Sequence, residues 1–350
     1  MTKEVKIGKI YIGGGNNIAI QSMTNTHTKD IDKSVQQILD LEEAGCEIVR
    51  VAVLDKTDAL AIQKIKQRIN IPLVADIHFD YVLALEAIKN GADKIRINPS
   101  NIGAEDKVLK IIECAKSYQI GIRIGVNSGS IDKKFMQKYP NKTDALVNSL
   151  LSEIAYFEKH SFDNLVLSVK SSSVKETVEA NRILSKLTAY PLHIGVTEAG
   201  LPETGLIKSS IGIGSLLLDG IGDTFRVSLT SNPIEEVYAA KRILSACEKT
   251  FKGINFISCP TCGRCQVDMV DYASLIYKRI KNIKAKMTVA VMGCAVNGPG
   301  EAEKADVGIA FGVDKAILFK FGKVVCPLPL ENIVNTFVDI VFDTALRLTK

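Results

Sequence analysis

From residue 18 to about residue 247 the chain repeats one pattern eight times: a short apolar, β-branched run, a polar junction, then apolar positions at helical spacing. The runs cover 18–23, 47–53, 72–78, 94–98, 121–127, 164–170, 192–198 and 223–229, and their starts lie 22 to 43 residues apart. Strands alternating with helices imply βαβ units and a parallel sheet, and eight units in this length match a (β/α)8 TIM barrel over residues 1–250. A doubly wound open sheet is the alternative, but it usually has fewer strands and a glycine-rich first turn. Here the run Gly13, Gly14, Gly15 precedes the first strand instead of following it, so it is no dinucleotide fingerprint. The longest interval holds SGSIDKKFMQKYPNKT at 128–143. It follows a strand, which places it on the C-terminal face as a lid or binding loop, with a plain surface insertion as the alternative. Past residue 252 the rhythm breaks. Strand-like runs at 253–258, 287–293, 307–311 and 316–321, with helical patterns at 267–283 and 330–348, predict a smaller α/β domain over 251–350.

Composition narrows the class only slightly. With 350 residues, 46% apolar and 24% charged, the chain reads as globular with a sizeable core, not as a disordered tail or a disulfide-stapled scaffold. A net charge of +5 is too dilute for a nucleic-acid tract and tolerates an anionic substrate without demanding one. The polar start MTKEVKIGKI lacks the apolar core of a secretory signal, and no stretch is long enough for a membrane span, so the expected compartment is the cytoplasm. The 8 cysteines are then expected as thiols. Cys46, Cys114 and Cys247 fall in helical segments or at their ends and read as small buried hydrophobes. Cys259, Cys262, Cys265 and Cys294 are clustered, and that clustering calls for a metal.

Parallel barrel strands should be nearly continuous apolar runs, so each charge inside one needs a reason. Arg50, Asp76, His78, Arg96, Asn98, Arg123, Asn127, Ser168, Lys170, Glu198, Arg226 and Ser228 all stand within such runs. The pairs 76/78, 96/98, 168/170 and 226/228 are two residues apart and 123/127 four apart, so each pair shares a strand face. At the carboxyl ends of the strands they would ring one pocket. Four arginines and a lysine converging there repel one another unless an anion sits among them, because buried unpaired charge is costly. Arginine's planar fork suits phosphate, with Asn and Ser as neutral donors. Glu198 and Asp76 alone cannot neutralise five cations, which points to a phosphorylated ligand. His78 and His193 read first as hydrogen-bonded structural histidines.

In the second domain SCPTCGRCQ at 258–266 is followed by MGCAVNGPGEA with Cys294. Closely spaced thiols joined by a remote one fit an iron–sulfur cluster better than a zinc ribbon, which needs a second CxxC pair. The fourth ligand stays open. Cys265 would complete an all-cysteine centre suited to electron transfer. Glu301, brought back by the turn at Gly298, Pro299 and Gly300, would instead leave a weakly held corner for a substrate. Each choice implies a different protein: a non-catalytic electron-transfer or sensing module on a phosphate-binding barrel, or an enzyme.

SCPTC and MGC-x3-NGPGEA, together with QSMTNT, VADIHFD, KIRINPSNIG, IRIGVNSGS, HIGVTEAG and GDTFRVSLT, resemble the 4-hydroxy-3-methylbut-2-enyl diphosphate synthases of the non-mevalonate isoprenoid pathway over almost the whole chain. The resemblance implies reductive opening of 2-C-methyl-D-erythritol 2,4-cyclodiphosphate at a 4Fe-4S cluster, with two electrons from reduced flavodoxin or ferredoxin. It implies Cys259, Cys262, Cys294 and Glu301 as cluster ligands, and Arg50, Arg96, Asn98, Arg123, Asn127, Lys170 and Ser228 as diphosphate contacts. Glu198 becomes the acid beside the reacting carbon, and a head-to-tail homodimer is expected. Cys265 departs from the family's usual non-cysteine residue and is expected to be a spectator near the cluster. Cys326 has no assigned role.

Overall fold

Residues 1–129, 131, 133–249, 253–294, 300 and 305–349 are described by a computed structural model. Two three-residue strands, β1 (Val5–Ile7) and β2 (Ile10–Ile12), open the chain as an antiparallel hairpin. The eight apolar runs then supply β3 (Ala19–Met23), β4 (Ile48–Ala52), β5 (Leu73–Asp76), β6 (Lys94–Ile97), β7 (Gly121–Asn127), β8 (Leu165–Lys170), β9 (His193–Ile194) and β10 (Thr224–Phe225). They pair in parallel in the order β8-β7-β6-β5-β4-β3-β10-β9, and a parallel bridge between Leu167 and Leu192 joins the two ends into a barrel.

Between the strands run α1 (Ile31–Ala44), α2 (Lys56–Lys66), α3 (Tyr81–Lys89), α4 (Pro99–Ile102), α5 (Glu105–Tyr118), α6 (Lys133–Lys138), α7 (Lys142–Lys159), α8 (Val174–Leu187), α9 (Pro202–Leu218) and α10 (Pro233–Ala246). Their starts follow from capping chemistry: Asp55, Asn141, Ser173 and Asn232 each accept a backbone N–H from the first turn of α2, α7, α8 and α10. In α1 the buried Val35, Ile38 and Leu41 recur every three residues and give the helix one apolar face. The long interval after β7 is mostly helix, α6 and the 18-residue α7, with residues 130 and 132 outside the described set.

The hairpin sets the polarity of the barrel. Val5, Ile7 and Ile12 cluster with Ala19, Ile48, Val74 and Val166, all at or near strand beginnings, so the N-terminal end is filled by apolar packing. Polar side chains further along the same inward faces are left to the middle and the C-terminal end. Two expectations need correction. Residues 192–198 and 223–229 pair regularly over only two positions each; beyond them the chain is held by single bonds such as Arg226 N–H to the Ile194 carbonyl.

The second unit begins at residue 250, after a first compact unit Met1–Lys249. It consists of β11 (Ile254–Ser258), α11 (Met269–Ile280), β12 (Met287–Met292), β13 (Val307–Phe311), β14 (Lys315–Lys320), β15 (Lys323–Pro329) and α12 (Ile333–Leu348). The sheet order is sequential, with β11, β12 and β13 parallel and β13, β14 and β15 antiparallel. Ile276 and Ile280 of α11 and Phe337 and Val341 of α12 pack with Val289, Val291, Ile309 and Phe311 into one core. The edge strand β15 is an addition to the sequence reading. Among the described residues no helix is long and apolar enough to cross a membrane.

Candidate functional site

Two-residue alternation turns Arg50, Asp76, Arg96, Arg123 and Lys170 into the barrel. Register sets Asp76 opposite Arg96, Arg96 opposite Arg123, and Asn127 opposite Lys170 on neighbouring strands. Arg123 is 2% exposed, Arg96 7% and Lys170 9%. One carboxylate serves several of them: Asp76 lies 3.2 Å from Arg96, 3.7 Å from Arg50 and 3.5 Å from the His78 ring. Burial alone would raise the Asp76 pKa, but Arg50, the His78 hydrogen bond, Arg96 and Arg123 together hold it far below the usual carboxylate range. Burial brings Arg50 down to about 10 against the opposing pull of Asp76.

Arg226 finds an anion that the strand pattern did not disclose. Its Nε and Nη2 each donate to Glu236, at 2.9 Å both, a bidentate pair with a carboxylate supplied by the first turn of α10. Among the described residues Arg123 has no such neighbour. Its Nε and Nη1 are buried without a hydrogen-bond partner among the described residues, and burial followed by Arg50 and Arg96 depresses its pKa strongly. Lys170 is likewise pushed well down, by burial first and then by Arg123 and Arg50. Its side chain passes over Gly195, where a Cβ would come within 3.0 Å of Nζ and 2.6 Å of the Arg226 carbonyl oxygen. Such a set of buried donors facing one another is arranged to receive an anion.

The remaining residues of the sequence reading fall around this ring. Asn98 is buried at the end of β6, and Asn127 and Ser228 are half-buried. Glu198 is exposed in the left-handed region at φ 53°, a strained position for a non-glycine residue. The chain beyond it is tied to the end of the Ser228 segment by the Thr230 N–H to the Gly200 carbonyl, 2.9 Å.

Of a deeper polar layer the sequence reading singled out only His193. Lys94 on β6 and His193 on β9 are fully buried, and neither Lys94 Nζ nor either His193 ring nitrogen has a partner among the described residues; Gln21 and Thr224 join them. His193 is therefore not the hydrogen-bonded structural histidine expected. Burial, then Arg123 and Lys170, keep its ring neutral well below the ordinary value of 6.5. Lys94 was findable, since it shares the inward parity of Arg96.

In the second unit the thiols collect at the carboxyl ends of the parallel strands β11 and β12. Cys259 N–H bonds the Val291 carbonyl at 3.2 Å, Cys265 N–H closes a turn on the Cys262 carbonyl at 3.0 Å, and Gln266 N–H bonds the Gly293 carbonyl at 3.0 Å. Gly293 N–H in turn donates to Cys259 Sγ at 3.0 Å. Cys294 follows directly and is buried. A Cβ at Gly293 would lie 2.8 Å from Cys265 Sγ and 3.4 Å from Cys259 Sγ, so the two sulfurs flank the same point of the backbone. Burial raises the Cys259 thiol, whereas the Arg264 backbone N–H and the Arg264 charge lower that of exposed Cys262. Glu301 lies outside the described residues. Among the described residues no three such side chains stand at the spacing of a single metal ion, but a four-iron cube holds its ligand sulfurs further apart than one ion does. Soft thiols from a tight turn and a neighbouring strand end, with a backbone N–H aimed at one sulfur, fit such a cube. Cys46 and Cys247 are buried as expected, and Cys114 and Cys326 are partly so.

Comparison with known proteins agrees in both units. Residues 2–241 match the GcpE TIM-barrel domain and residues 255–343 the GcpE protein C-terminal domain. A protein of Caldicellulosiruptor saccharolyticus named 4-hydroxy-3-methylbut-2-en-1-yl diphosphate synthase (flavodoxin) is 57% identical over 339 residues, 97% of each chain. One of the same name from Clostridium perfringens is 52% identical over 341 residues, 97% of this chain and 98% of that one. Among solved structures, dihydropteroate synthase from Stenotrophomonas maltophilia covers 71% of this chain and 98% of its own at TM-score 0.52 and 13% identity, a likeness of fold alone.

Proposed function

The chain belongs to the GcpE family, and from that footing we propose that it is an oxidoreductase opening 2-C-methyl-D-erythritol 2,4-cyclodiphosphate, with two electrons and loss of water, to 4-hydroxy-3-methylbut-2-enyl diphosphate. The observation that carries this reading is that one chain holds both an under-neutralised ring of buried cations and a gathered set of thiols.

Arg50, Arg96, Arg123 and Lys170, aided by Asn98, Asn127 and Ser228, hold the diphosphate and thereby fix the carbon skeleton. The unpartnered Arg123 nitrogens supply the strongest pull, because the anion satisfies them without displacing another carboxylate. Asp76 keeps Arg50 and Arg96 aligned. Glu198, on its strained turn, hands a proton to the departing oxygen. Cys259, Cys262, Cys294 and Glu301 would hold a 4Fe-4S cluster, which when bound supplies electrons singly to the C–O bond that breaks. Reduced flavodoxin, the donor in the relatives' names, is the proposed source, with ferredoxin as the alternative. The head-to-tail homodimer belongs to the same proposal.

The test is an anaerobic absorption and EPR comparison of fully loaded protein with and without the cyclic diphosphate. A spectrum that changes on addition supports an open iron corner. An unchanged spectrum at saturating substrate, with four thiolates bound, would instead favour the non-catalytic electron carrier.

A further inference from the structure

Glu236 carries more donors than a carboxylate at a helix start needs. It is 3% exposed, and four donors from three residues converge on it. Arg226 Nε and Nη2 donate at 2.9 Å each, the Leu229 N–H donates at 3.1 Å, and the Ser22 hydroxyl of β3 donates at 3.1 Å. Ser22 takes Oε2 and Leu229 takes Oε1, the same two oxygens that the Arg226 fork engages. Both oxygens are therefore pinned from a strand and from the chain that follows Ser228, and the planar fork is locked against them.

The other end of the guanidinium has a softer neighbour. Arg226 Nη1 donates to Met23 Sδ at 3.4 Å, and the same sulfur accepts from Arg50 Nε at 3.1 Å. Register places Met23 opposite Arg50, Arg50 reaches Asp76, and Asp76 reaches Arg96, so Arg226 stands at one end of a line of side chains that runs into the cation ring. A thioether is a weak acceptor and a phosphoryl oxygen a strong one. An incoming diphosphate can thus take the Nη1 donors from Met23 while Glu236 goes on holding the opposite edge. Freezing a long arginine side chain on binding costs affinity, and here folding has already done it. Resting on the diphosphate reading of the ring, we propose that Glu236 is a positioning residue: pinned by Ser22 and Leu229, it holds Arg226 with its Nη1 end turned to the anion.

The experiment measures binding of inorganic pyrophosphate to the full chain by calorimetry in phosphate-free buffer, for wild type, Glu236→Gln, Arg226→Gln and the double variant. Glu236→Gln should bind pyrophosphate about tenfold more weakly. The double variant should bind no more weakly than Arg226→Gln, because Glu236 acts through Arg226. Replacing both partners leaves neither charge buried alone, so that pair of variants still decides the matter should Glu236→Gln fail to fold. In cluster-loaded enzyme the Glu236→Gln substitution should raise KM for the cyclic diphosphate by the same factor, with kcat within about threefold of wild type. Wild-type affinity in Glu236→Gln would overturn the proposal alone, as would a tenfold gap between Arg226→Gln and the double variant. A fall in kcat at unchanged KM would overturn it too. A wild type that binds no pyrophosphate would instead overturn the diphosphate reading of the ring, and this inference with it.

Discussion

Replacing Asp76 with asparagine tests whether the barrel interior is built to wait for an anion. The carboxylate is 4% exposed and stands 3.2 Å from Arg96 and 3.7 Å from Arg50. At an effective dielectric of about 20 each such contact is worth roughly 4–5 kcal/mol before desolvation is subtracted. Removing one partner of a buried ion pair costs about 3–5 kcal/mol net, because the charge left behind stays buried and uncompensated. The neutral amide would leave two arginines in that condition, so the upper part of the range is expected. Against a typical domain stability of about 5–15 kcal/mol, the loss is large but leaves a folded barrel to measure.

The chain has no tryptophan, so urea unfolding is best followed by far-ultraviolet circular dichroism, in buffer free of phosphate and sulfate. With two units present, the barrel transition is the one that inorganic pyrophosphate moves. Saturation at a hundredfold over Kd stabilises wild type by about 2.7 kcal/mol. The Asp76→Asn barrel should gain more at the same concentration, because pyrophosphate then replaces the missing carboxylate as well. A variant within about 1 kcal/mol of wild type without added anion would refute the reasoning, since the guanidinium groups would then have some other outlet. Acid should discriminate further. The folded-state pKa of Asp76 lies below its ordinary 3.8, so its contribution is present above that value and lost as pH falls beneath it. The asparagine variant should lack that loss.

Further expectations concern the other buried groups. Arg123→Ala should raise KM, with a loss of about 1.5–3 kcal/mol in substrate binding, whereas Glu301→Ala should lose kcat at nearly unchanged affinity; steady-state kinetics showing the reverse would exchange their roles. Lys94→Met should stabilise the ligand-free barrel by about 1–3 kcal/mol, because it removes a fully buried amine without a partner among the described residues. The folded-state pKa of Lys94 lies well below 10.5, so the unfolded chain binds the extra proton and wild-type stability climbs with pH between those values. Urea midpoints at pH 7 and 9.5 should therefore diverge more in wild type than in Lys94→Met, and equal slopes would show that the amine is solvated.

The barrel was legible because strands buried on both faces read as unbroken apolar runs, and a charge within such a run announces itself. Arg50, Arg96, Arg123 and Lys170 were found in that way, and the structure does turn them inward. Glu236 was not legible. It sits in the acidic first turn of α10, where a carboxylate is ordinary, and only the fold of the turn from β10 into α10 brings it back to Arg226. β15 was hidden by Pro327 and Pro329, which an interior strand would exclude but the edge of a sheet allows. The hairpin of β1 and β2 was too short for periodicity to register, yet it decides which end of the barrel is closed. The sulfur cluster was evident from spacing alone. The proximity of Cys265 to Cys259 was not, because it depends on a glycine thirty-four residues beyond Cys259.

Charge counting explains why this interior is tolerated. In the ring itself Arg50, Arg96, Arg123, Lys170 and Arg226 bring five nominal cations, and Asp76 and Glu236 bring two anions, which leaves a surplus of three before the deeper Lys94 is counted. Burial and its cationic neighbours push the Lys170 pKa well down, so giving up a proton there costs the ligand-free protein less than it would in water. A cyclic diphosphate carries one ionised oxygen on each phosphoryl group, two charges in all, which would offset most of that surplus. A carboxylate placed beside Arg123 would have made the empty barrel more stable and the substrate redundant. With Arg123 Nε and Nη1 unpartnered among the described residues, the ligand-free protein is destabilised at one point, and under the proposed function a bound diphosphate would recover that energy as affinity and orientation.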